Sequence, residues 1–285
     1  MASMRDIQRR KNSIQSTGQI TKAMKLVSTV KLQKARAKAE QARPYFEHMY
    51  NTVSSMLALS SDINHPYLKA GESKKKAVIV VTSNRGLAGG YNSNIIKLIT
   101  RGELKQEDLK IYSVGRKGKD YLERRGYEMA ADYSDVINEP LYKDAQEIGN
   151  AVLTAFKNKE VGEIYLAYTS FKNTVSHQPR LIKLLPVEFD QKEAAESGKS
   201  IPMNYEPDEE EVLNIIIPKY ICGLIYSALV EAVASENGAR MQAMDSATSN
   251  AEEMIADLSL MYNRARQGSI TQELTEIIAG AQAIS

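Results

Sequence analysis

The sequence predicts an α/β protein, with a central domain of alternating strands and helices and a long helix at each end of the chain. Three observations support this prediction. Hydrophobic residues recur in steps of three and four near both ends. The centre contains short β-branched runs that alternate with helical stretches. The two ends also carry opposite net charges around a balanced centre.

The N-terminal stretch, residues 4–43, contains no proline and one glycine. Its stripe of residues at helical spacing is thin and surrounded by Lys and Arg, so this helix needs a single partner or a polar channel rather than a globular core. We expect Pro44 to interrupt the helix, a second helical stretch to reach about Ser61, and the segment SDINHP to form a turn. The stripe consists of Ile7, Ile14, Thr17, Met24, Val27 and Ala35.

The C-terminal stretch contains no proline in the 67 residues after Pro218. A heptad pattern runs through nearly four heptads of it, which predicts a coiled coil. Small side chains in this seam let two backbones approach closely, so we expect a thin rod; roughly 60 helical residues span about 90 Å. The seam consists of Met241, Met244, Thr248, Ala251, Ile255, Leu258, Tyr262 and Ala265. A related stripe continues it through Ile270, Leu274, Ile277 and Ala281.

Net charge differs sharply along the chain. It is +9 in residues 1–43, +2 in residues 44–205 and −9 in residues 206–285. The opposite signs allow the two ends to pair, and we expect Val27 to lie within a few turns of Leu258. A basic end could also bind nucleic acid, but the first 43 residues contain no aromatic side chain on which bases could stack.

The centre of the chain predicts a parallel or mixed sheet, because strand and helix patterns alternate there. The expected strands are Ala77–Thr82, Lys110–Val114, residues 127–133, Glu163–Thr169 and Arg180–Val187. The expected helices run over about Asn92–Arg101, Lys117–Arg125 and Asp144–Lys157. The predicted divisions are an N-terminal helical segment at 1–61, an α/β domain at 74–189, a polar connector at 190–210 and a C-terminal helix at 211–285.

A glycine-rich turn, GLAGGYN at Gly86–Asn92, follows the first predicted strand. A glycine turn in this place can hold a phosphate group. However, the sequence contains neither the dinucleotide pattern G-x-G-x-x-G nor the P-loop pattern G-x-x-x-x-G-K-[ST]. We therefore interpret these glycines as a tight structural turn.

The remaining residue types offer no catalytic or metal-binding pattern. His48, His65 and His177 are far apart, and the single cysteine, Cys222, lies in an apolar run where a packed thiol is expected. The longest uncharged stretch there, Tyr220–Val230, is well short of the ~20 residues that a membrane-spanning helix needs. We expect no enzymatic activity of the chain on its own, no cofactor and no metal.

Four stretches carry a specific pattern, in order along the chain. They are ITKAMKLVSTVKLQKAR at 20–36, SNRGLAGGYN at 83–92, SENGARMQAMDSATSNA at 235–251 and ITQELTEIIAGAQA at 270–283. In these stretches, and over essentially its full length, the sequence resembles the gamma subunit of F-type ATP synthases.

Three residues depart from the pattern of that family. Asn84 stands where aspartate is usual, Gly238 replaces the commoner alanine or glutamine, and Asp245 replaces the commoner lysine. A glycine inside a helix costs about 1 kcal/mol relative to alanine, so Gly238 could mark a softer point. The plant-type regulatory insertion with its cysteine pair is missing, so thiol switching is not implied.

The resemblance implies a long antiparallel coiled coil of the two terminal helices joined to a small Rossmann-like α/β domain. It implies the central rotor shaft of the synthase, which couples ion flow through the membrane c ring to ATP synthesis or hydrolysis on a hexamer of alpha and beta subunits. The chain would be a non-catalytic subunit, present in one copy and peripheral to the cytoplasmic face of the bacterial plasma membrane. Epsilon would be a further partner, and no nucleic acid would bind.

The resemblance also implies contact residues. Six would contact the alpha/beta ring, and two of these lie in the segment NRARQ that reaches a loop of a beta subunit. They are Met24, Arg240, Arg266, Gln267, Gln272 and Thr275. The α/β domain would face epsilon and the c ring, through residues that include Arg85 and Tyr91.

The residues themselves leave three other classes open. A non-catalytic coiled-coil scaffold could share the heptad seam, but it would have no reason to carry the pattern at 270–283. A nucleic-acid-binding adaptor would show steeply salt-dependent binding. A dinucleotide enzyme would need a phosphate loop that the sequence lacks.

Overall fold

The computed structural model describes residues 3–59, 65–174, 176–187 and 208–284. Helix α1, Met4–Leu59, begins the fold and helix α5, Glu209–Ile284, ends it. The chain forms two compact units. Unit 1 contains Met1–Ser28 and Met241–Ser285, and unit 2 contains Thr29–Arg240.

Unit 2 is built on a five-stranded sheet. Its strands are β1 Lys76–Val81, β2 Leu109–Val114, β3 Glu128–Asp132, β4 Glu163–Phe171 and β5 His177–Leu185. Their order is β3-β2-β1-β4-β5, and all neighbours are parallel except β4 and β5. The predicted mixed sheet is therefore confirmed, and the order of its first four strands is that of a Rossmann-type half-sheet.

Helices cover both faces of the sheet. They are α2 Tyr91–Thr100, α3 Arg116–Arg124 and α4 Tyr142–Lys157, together with the first part of α5. Alternate residues of β1 point to opposite faces, so Val78 packs with α2 and α3, whereas Ile79 packs with α4 and α5. Ile217 and Ile225 of α5 are fully buried in this second layer. The long C-terminal helix therefore begins as a core helix of the α/β domain.

The apolar character of α5 also follows from its role as a core helix of the α/β domain. By length and composition alone, a stretch of it is long and apolar enough to cross a membrane, but half of that stretch is buried inside the fold. Its buried side chains pack against the sheet and α4.

The predicted break at Pro44 is wrong, because α1 continues through this residue. A proline removes one backbone hydrogen bond from a helix, but side-chain packing on the following turns holds the helix together. Phe46 lies against Gly223 and Tyr226 of α5, and Val53 and Met56 are buried.

Two predicted segments fall partly outside the described residues. Residues 61–64 of the predicted SDINHP turn and residues 190–207 of the predicted connector lie outside them. The parts that are described form a short 3-10 turn at Pro66–Leu68 and the start of α5 at Glu209, two residues before the predicted start of the C-terminal helix.

Candidate functional site

In unit 1, α1 and α5 contact each other through a regular seam. Buried and half-buried positions of α1 alternate in steps of four and three, which is the 3.5-residue period of a coiled coil. They are Ile7, Lys11, Ile14, Gly18, Thr21, Lys25 and Ser28. The predicted seam positions Thr17 and Val27 are wrong, since both are exposed. Ile7 and Ile14 were predicted correctly, whereas the missed positions hold Lys, Gly, Thr or Ser, which a hydrophobic pattern does not reveal.

The α5 side of the seam agrees with the prediction. All eight predicted residues from Met241 to Ala265 are buried or half-buried. The related stripe beyond them behaves differently, because Ile270, Leu274 and Ile277 are 49%, 54% and 67% exposed. The helix pairing therefore covers the seam as far as Ala265, and the described residues leave the last turns of α5 exposed.

Three cross-helix contacts define the antiparallel register. A Cβ on Gly18 would lie 3.4 Å from the Cβ of Ala251. The hydroxyls of Thr21 and Thr248 are 2.7 Å apart. Lys25 Nζ lies 2.5 Å from Asp245 Oδ1.

This register differs from the expected one. The numbers of the paired residues sum to 269 or 270, whereas those of Val27 and Leu258 sum to 285. The expected register is therefore wrong by about 16 residues, or between four and five helical turns. Charge sign and seam composition repeat along both helices, so neither feature could select one register.

Small residues, rather than ion pairs, bring the two helices together. Lys25 and Asp245 are 38% and 57% exposed, and a pair this exposed contributes about 0–1 kcal/mol. The close approach at Gly18 and Ala251, by contrast, needs residues without bulk. The opposite charges of the two ends are compatible with pairing but do not specify it.

Unit 1 exposes several large apolar side chains on both of its helices. On α1 these include Ile20, Leu26 and Val27, which are 57–62% exposed. The final turns of α5 add Ile270, Leu274, Ile277 and Ile278. Clusters of exposed apolar side chains typically mark binding surfaces.

Four of the predicted ring-contact residues lie in this exposed part of α5. Arg266, Gln267, Gln272 and Thr275 are all exposed. Gln272 Nε2 donates to Glu276 Oε1 at 3.0 Å, and Thr275 Oγ1 donates to Thr271 O at 2.8 Å, so these two polar groups are satisfied along the helix. Met24 is half-buried on α1.

The other three predicted contact residues meet at one edge of the sheet in unit 2. Arg85 is exposed in the glycine-rich turn, whereas Tyr91, at the start of α2, is only 4% exposed. The side chain of Arg240 is 11% exposed and is directed into the unit. Its NH2 group lies 2.7 Å from Glu236 Oε1, one helical turn earlier, and donates to Gly86 O at 3.3 Å.

Glu236 is a residue that the sequence interpretation missed, although it precedes Arg240 by four residues and that spacing is typical of helical ion pairs. Burial raises the pKa of the Glu236 carboxyl, and the Arg240 guanidinium acts in the opposite direction. Burial also raises the pKa of the Tyr91 phenol well above its usual range, and the charge of Glu236 adds to this effect. The Tyr91 ring therefore lies beside a buried ion pair.

Helix α5 also crosses the sheet edge at which nucleotides bind in open α/β folds, beyond the carboxyl ends of neighbouring parallel strands. Ser235 Oγ donates to Thr169 O, and the backbone N–H of Phe171 donates to Glu231 Oε2. Both contacts tie α5 to the end of β4. Among the described residues, no group of three His, Cys, Asp or Glu side chains is arranged to hold a metal ion.

Comparisons with known proteins identify the family. The profile of the ATP synthase family matches residues 3–284. An ATP synthase gamma chain of Lachnoclostridium phytofermentans is 70% identical over the whole of both chains. This chain belongs to the ATP synthase gamma-chain family.

Further relatives agree. A gamma chain of Alkaliphilus metalliredigens is 46% identical over 99% of this chain and 98% of its own length. A gamma chain of Acetobacterium woodii, described as sodium ion specific, is 39% identical over 99% of both. The central stalk and c-ring structure of the Tetrahymena thermophila mitochondrial ATP synthase contains a chain with a TM-score of 0.62 and 26% identity, covering 80% of this chain and 99% of its own. A Euglena gracilis mitochondrial ATP synthase chain shares the fold with a TM-score of 0.70 and 19% identity, covering 99% and 94%.

The three residues that are expected to depart from the family pattern make specific contacts in this fold. Asn84 donates from Nδ2 to Ser134 O and accepts from the Arg116 N–H, and an aspartate could not make the first bond. Asp245 provides the partner for Lys25. A Cβ on Gly238 would lie 2.7 Å from His177 Cε1, so glycine makes room for this ring.

Proposed function

We propose that this gamma chain is the central rotor shaft of an F-type ATP synthase. The observation that carries the proposal is unit 1, in which a thin antiparallel helix pair leaves large apolar side chains exposed on both helices. Unit 2 provides a folded α/β body on the same two helices. A shaft needs both features, because one part must contact a surrounding ring and the other must be driven.

Coupling by such a shaft follows from differential binding. A partner shifts the equilibrium between two states only if it contacts them differently. An asymmetric helix pair inside a ring of three alpha/beta pairs presents a different face to each beta subunit, so each site has a different nucleotide affinity. Rotation exchanges these affinities and releases ATP from each site in turn.

The exposed turns of α5 support contact with the alpha/beta ring. We assign Arg266, Gln267, Gln272 and Thr275 to this contact, together with Met24 on α1. Arg266 is exposed and can form a charge-assisted hydrogen bond to a beta-subunit carboxylate in some rotary positions. Because a shaft must turn against the ring, such a bond forms and breaks during each cycle.

The α/β body supports contact with the driving side of the machine. We assign the face that contains Arg85 to epsilon and the c ring. Tyr91 is buried beneath the same turn and supports it from inside. The chain is a non-catalytic subunit, peripheral to the cytoplasmic face of the plasma membrane, and ATP is bound by the alpha and beta subunits.

Assembly of this chain with purified alpha, beta and epsilon subunits, in place of their own gamma subunit, tests this function. With this chain present, the complex should hydrolyse ATP and, on membranes with a c ring, pump ions. The chain alone should neither bind ATP in the submillimolar range nor hydrolyse it, as measured by calorimetry and phosphate release. Failure to assemble, or an ATPase activity of the isolated chain, would contradict the proposal.

A contact variant sharpens the test. Arg266→Ala and Gln267→Ala should leave folding and assembly unchanged, because exposed helix substitutions cost little. They should alter the ATPase rate or the number of ions pumped per ATP. A wild-type ATPase rate and a wild-type number of ions pumped per ATP in both variants would show that these residues are not part of the contact.

A further inference from the structure

The glycine-rich loop of unit 2, residues 83–90, has an unusual combination of exposure and order. Leu87 is 64% exposed and has a positive φ of 62°. Cβ atoms added to Gly86 and Gly89 would meet nothing within 4 Å, so among the described residues this side of the loop is open. The position of the loop therefore depends on contacts from its inner side.

Those inner contacts come from several groups. Ala88 is 2% exposed and anchors the loop by packing. Ser83 Oγ donates to Arg85 O at 2.6 Å, and the Ser83 N–H donates to Asn92 Oδ1 at 2.9 Å. Asn84 adds bonds to Ser134 O and to the Arg116 N–H. A further contact comes from α5, because Arg240 reaches both Arg85 O at 3.5 Å and Gly86 O at 3.3 Å.

Arg240 is itself held in place. Its ion pair with Glu236 spans one helical turn at 2.7 Å, and the two side chains are 11% and 12% exposed. A largely buried guanidinium that is paired on one side has limited freedom, and the same NH2 group that meets Glu236 also lies within reach of fixed acceptors in the loop. The two loop carbonyls are such acceptors.

We propose that the Glu236–Arg240 pair is an internal clamp that fixes the 83–90 loop to α5, and that Arg240 is a positioning residue rather than a direct contact with a partner subunit. The clamp joins the helix that continues into unit 1 to the loop that presents Arg85 and Leu87 at the surface. Displacement of α5 at this point is thereby transmitted to the loop. This inference rests on the proposed rotor function only in its consequence for coupling.

The clamp is tested first in the full chain by backbone hydrogen exchange. Arg240→Ala should make exchange of the Tyr91 amide, which donates to Ala88 O, about tenfold faster or more. Arg240→Lys keeps a cation beside Glu236 but offers one donor group, and should restore part of the protection. Because Arg240→Ala leaves a buried carboxylate unpaired, the double variant Glu236→Gln/Arg240→Gln provides a second test without that charge.

Arg36→Ala is the matched control. Arg36 forms an exposed ion pair with Glu40, also four residues away on one helix of unit 2, at 2.8 Å, and its removal should leave exchange in the loop unchanged. Unchanged exchange of the Tyr91 amide in both Arg240→Ala and the double variant would overturn the clamp.

The consequence for coupling is measured separately in the assembled complex. Arg240→Ala should lower the number of ions pumped per ATP by about twofold or more, with partial recovery in Arg240→Lys. Faster loop exchange with an unchanged number of ions pumped per ATP would show that the clamp holds the loop but does not affect coupling. That result would overturn the proposed consequence for coupling. If the wild-type complex does not pump, the rotor function fails, while the exchange result still decides the clamp.

Discussion

The same two helices pair in different ways in the two units. In unit 2, α1 and α5 meet through aromatic rings, with centroids of Phe46 and Tyr226 6.1 Å apart and those of Tyr50 and Tyr220 6.4 Å apart. In unit 1 they meet through Gly18, Thr21 and small residues opposite. Aromatic rings bury large areas and hold one geometry, whereas small seams bury little.

This difference indicates a division of labour. Unit 2 contains its own hydrophobic core, on which sheet and helices converge. Unit 1 exposes apolar side chains that no described part of the chain covers. We infer that unit 2 is stable without partners, whereas unit 1 obtains part of its stability from the surrounding ring.

The largest expected effect is in the core of unit 2. Ile225→Ala removes a fully buried side chain and should lower the free energy of unfolding by about 2–5 kcal/mol. Ile277→Ala, at a position 67% exposed, should change it by less than about 0.5 kcal/mol. Chemical denaturation of the isolated chain measures both. Equal losses of unfolding free energy in the two variants would contradict the difference in packing between the two units.

A smaller effect is expected at Gly238. Gly238→Ala gains helix propensity of about 1 kcal/mol. However, the new methyl group would overlap His177 Cε1, and overpacking typically costs about 1–3 kcal/mol. We expect net destabilisation that His177→Ala relieves, as measured by a double-mutant cycle. Stabilisation by Gly238→Ala in the wild-type background would show that the ring moves aside freely.

The polar seam of unit 1 gives an effect of similar or lower size. Thr248→Val removes one side of the 2.7 Å hydroxyl contact with Thr21 and should cost about 1 kcal/mol. Thr21→Val and Thr248→Val together should cost less than the sum of the single changes, because either change already removes the contact between the two hydroxyls and the second change cannot remove it again. Additive losses in thermal unfolding would exclude a direct bond.

The smallest expected effect is a dependence of stability on pH. Burial lowers the pKa of His177, against a weaker opposite effect from the Thr174 backbone. The unfolded chain therefore binds a proton more readily than the folded one, so this contribution is complete above the ordinary histidine pKa and decreases as pH falls through it towards the folded value. His177→Gln should reduce the loss of stability between about pH 7.5 and pH 5. An unchanged pH profile would contradict this assignment.

The strands and the C-terminal seam could be predicted because their signals are local. The β-branched run KAVIVV marks β1, and heptad spacing marks Met244, Thr248 and Ala251. The α1 seam was only partly predicted, because Gly18, Thr21 and Ser28 carry no hydrophobic signal.

Tertiary contacts explain the remaining differences. Pro44 does not end α1, because packing of the following turns outweighs one lost hydrogen bond. Arg240 was identified as functional, but only the fold shows that it turns inward to Glu236 and the loop at Gly86. Register and side-chain direction depend on residues that are distant in sequence, and a periodic pattern does not contain them.

Single-molecule rotation measures the proposed rotor function directly. A cysteine introduced at the exposed Glu103 of unit 2 would carry a bead, while the alpha/beta ring is fixed to a surface. Cys222 is buried, so it does not compete for the label. We expect ATP to drive stepwise rotation of the bead in one direction. ATP hydrolysis by a fully assembled complex with a stationary bead would contradict it.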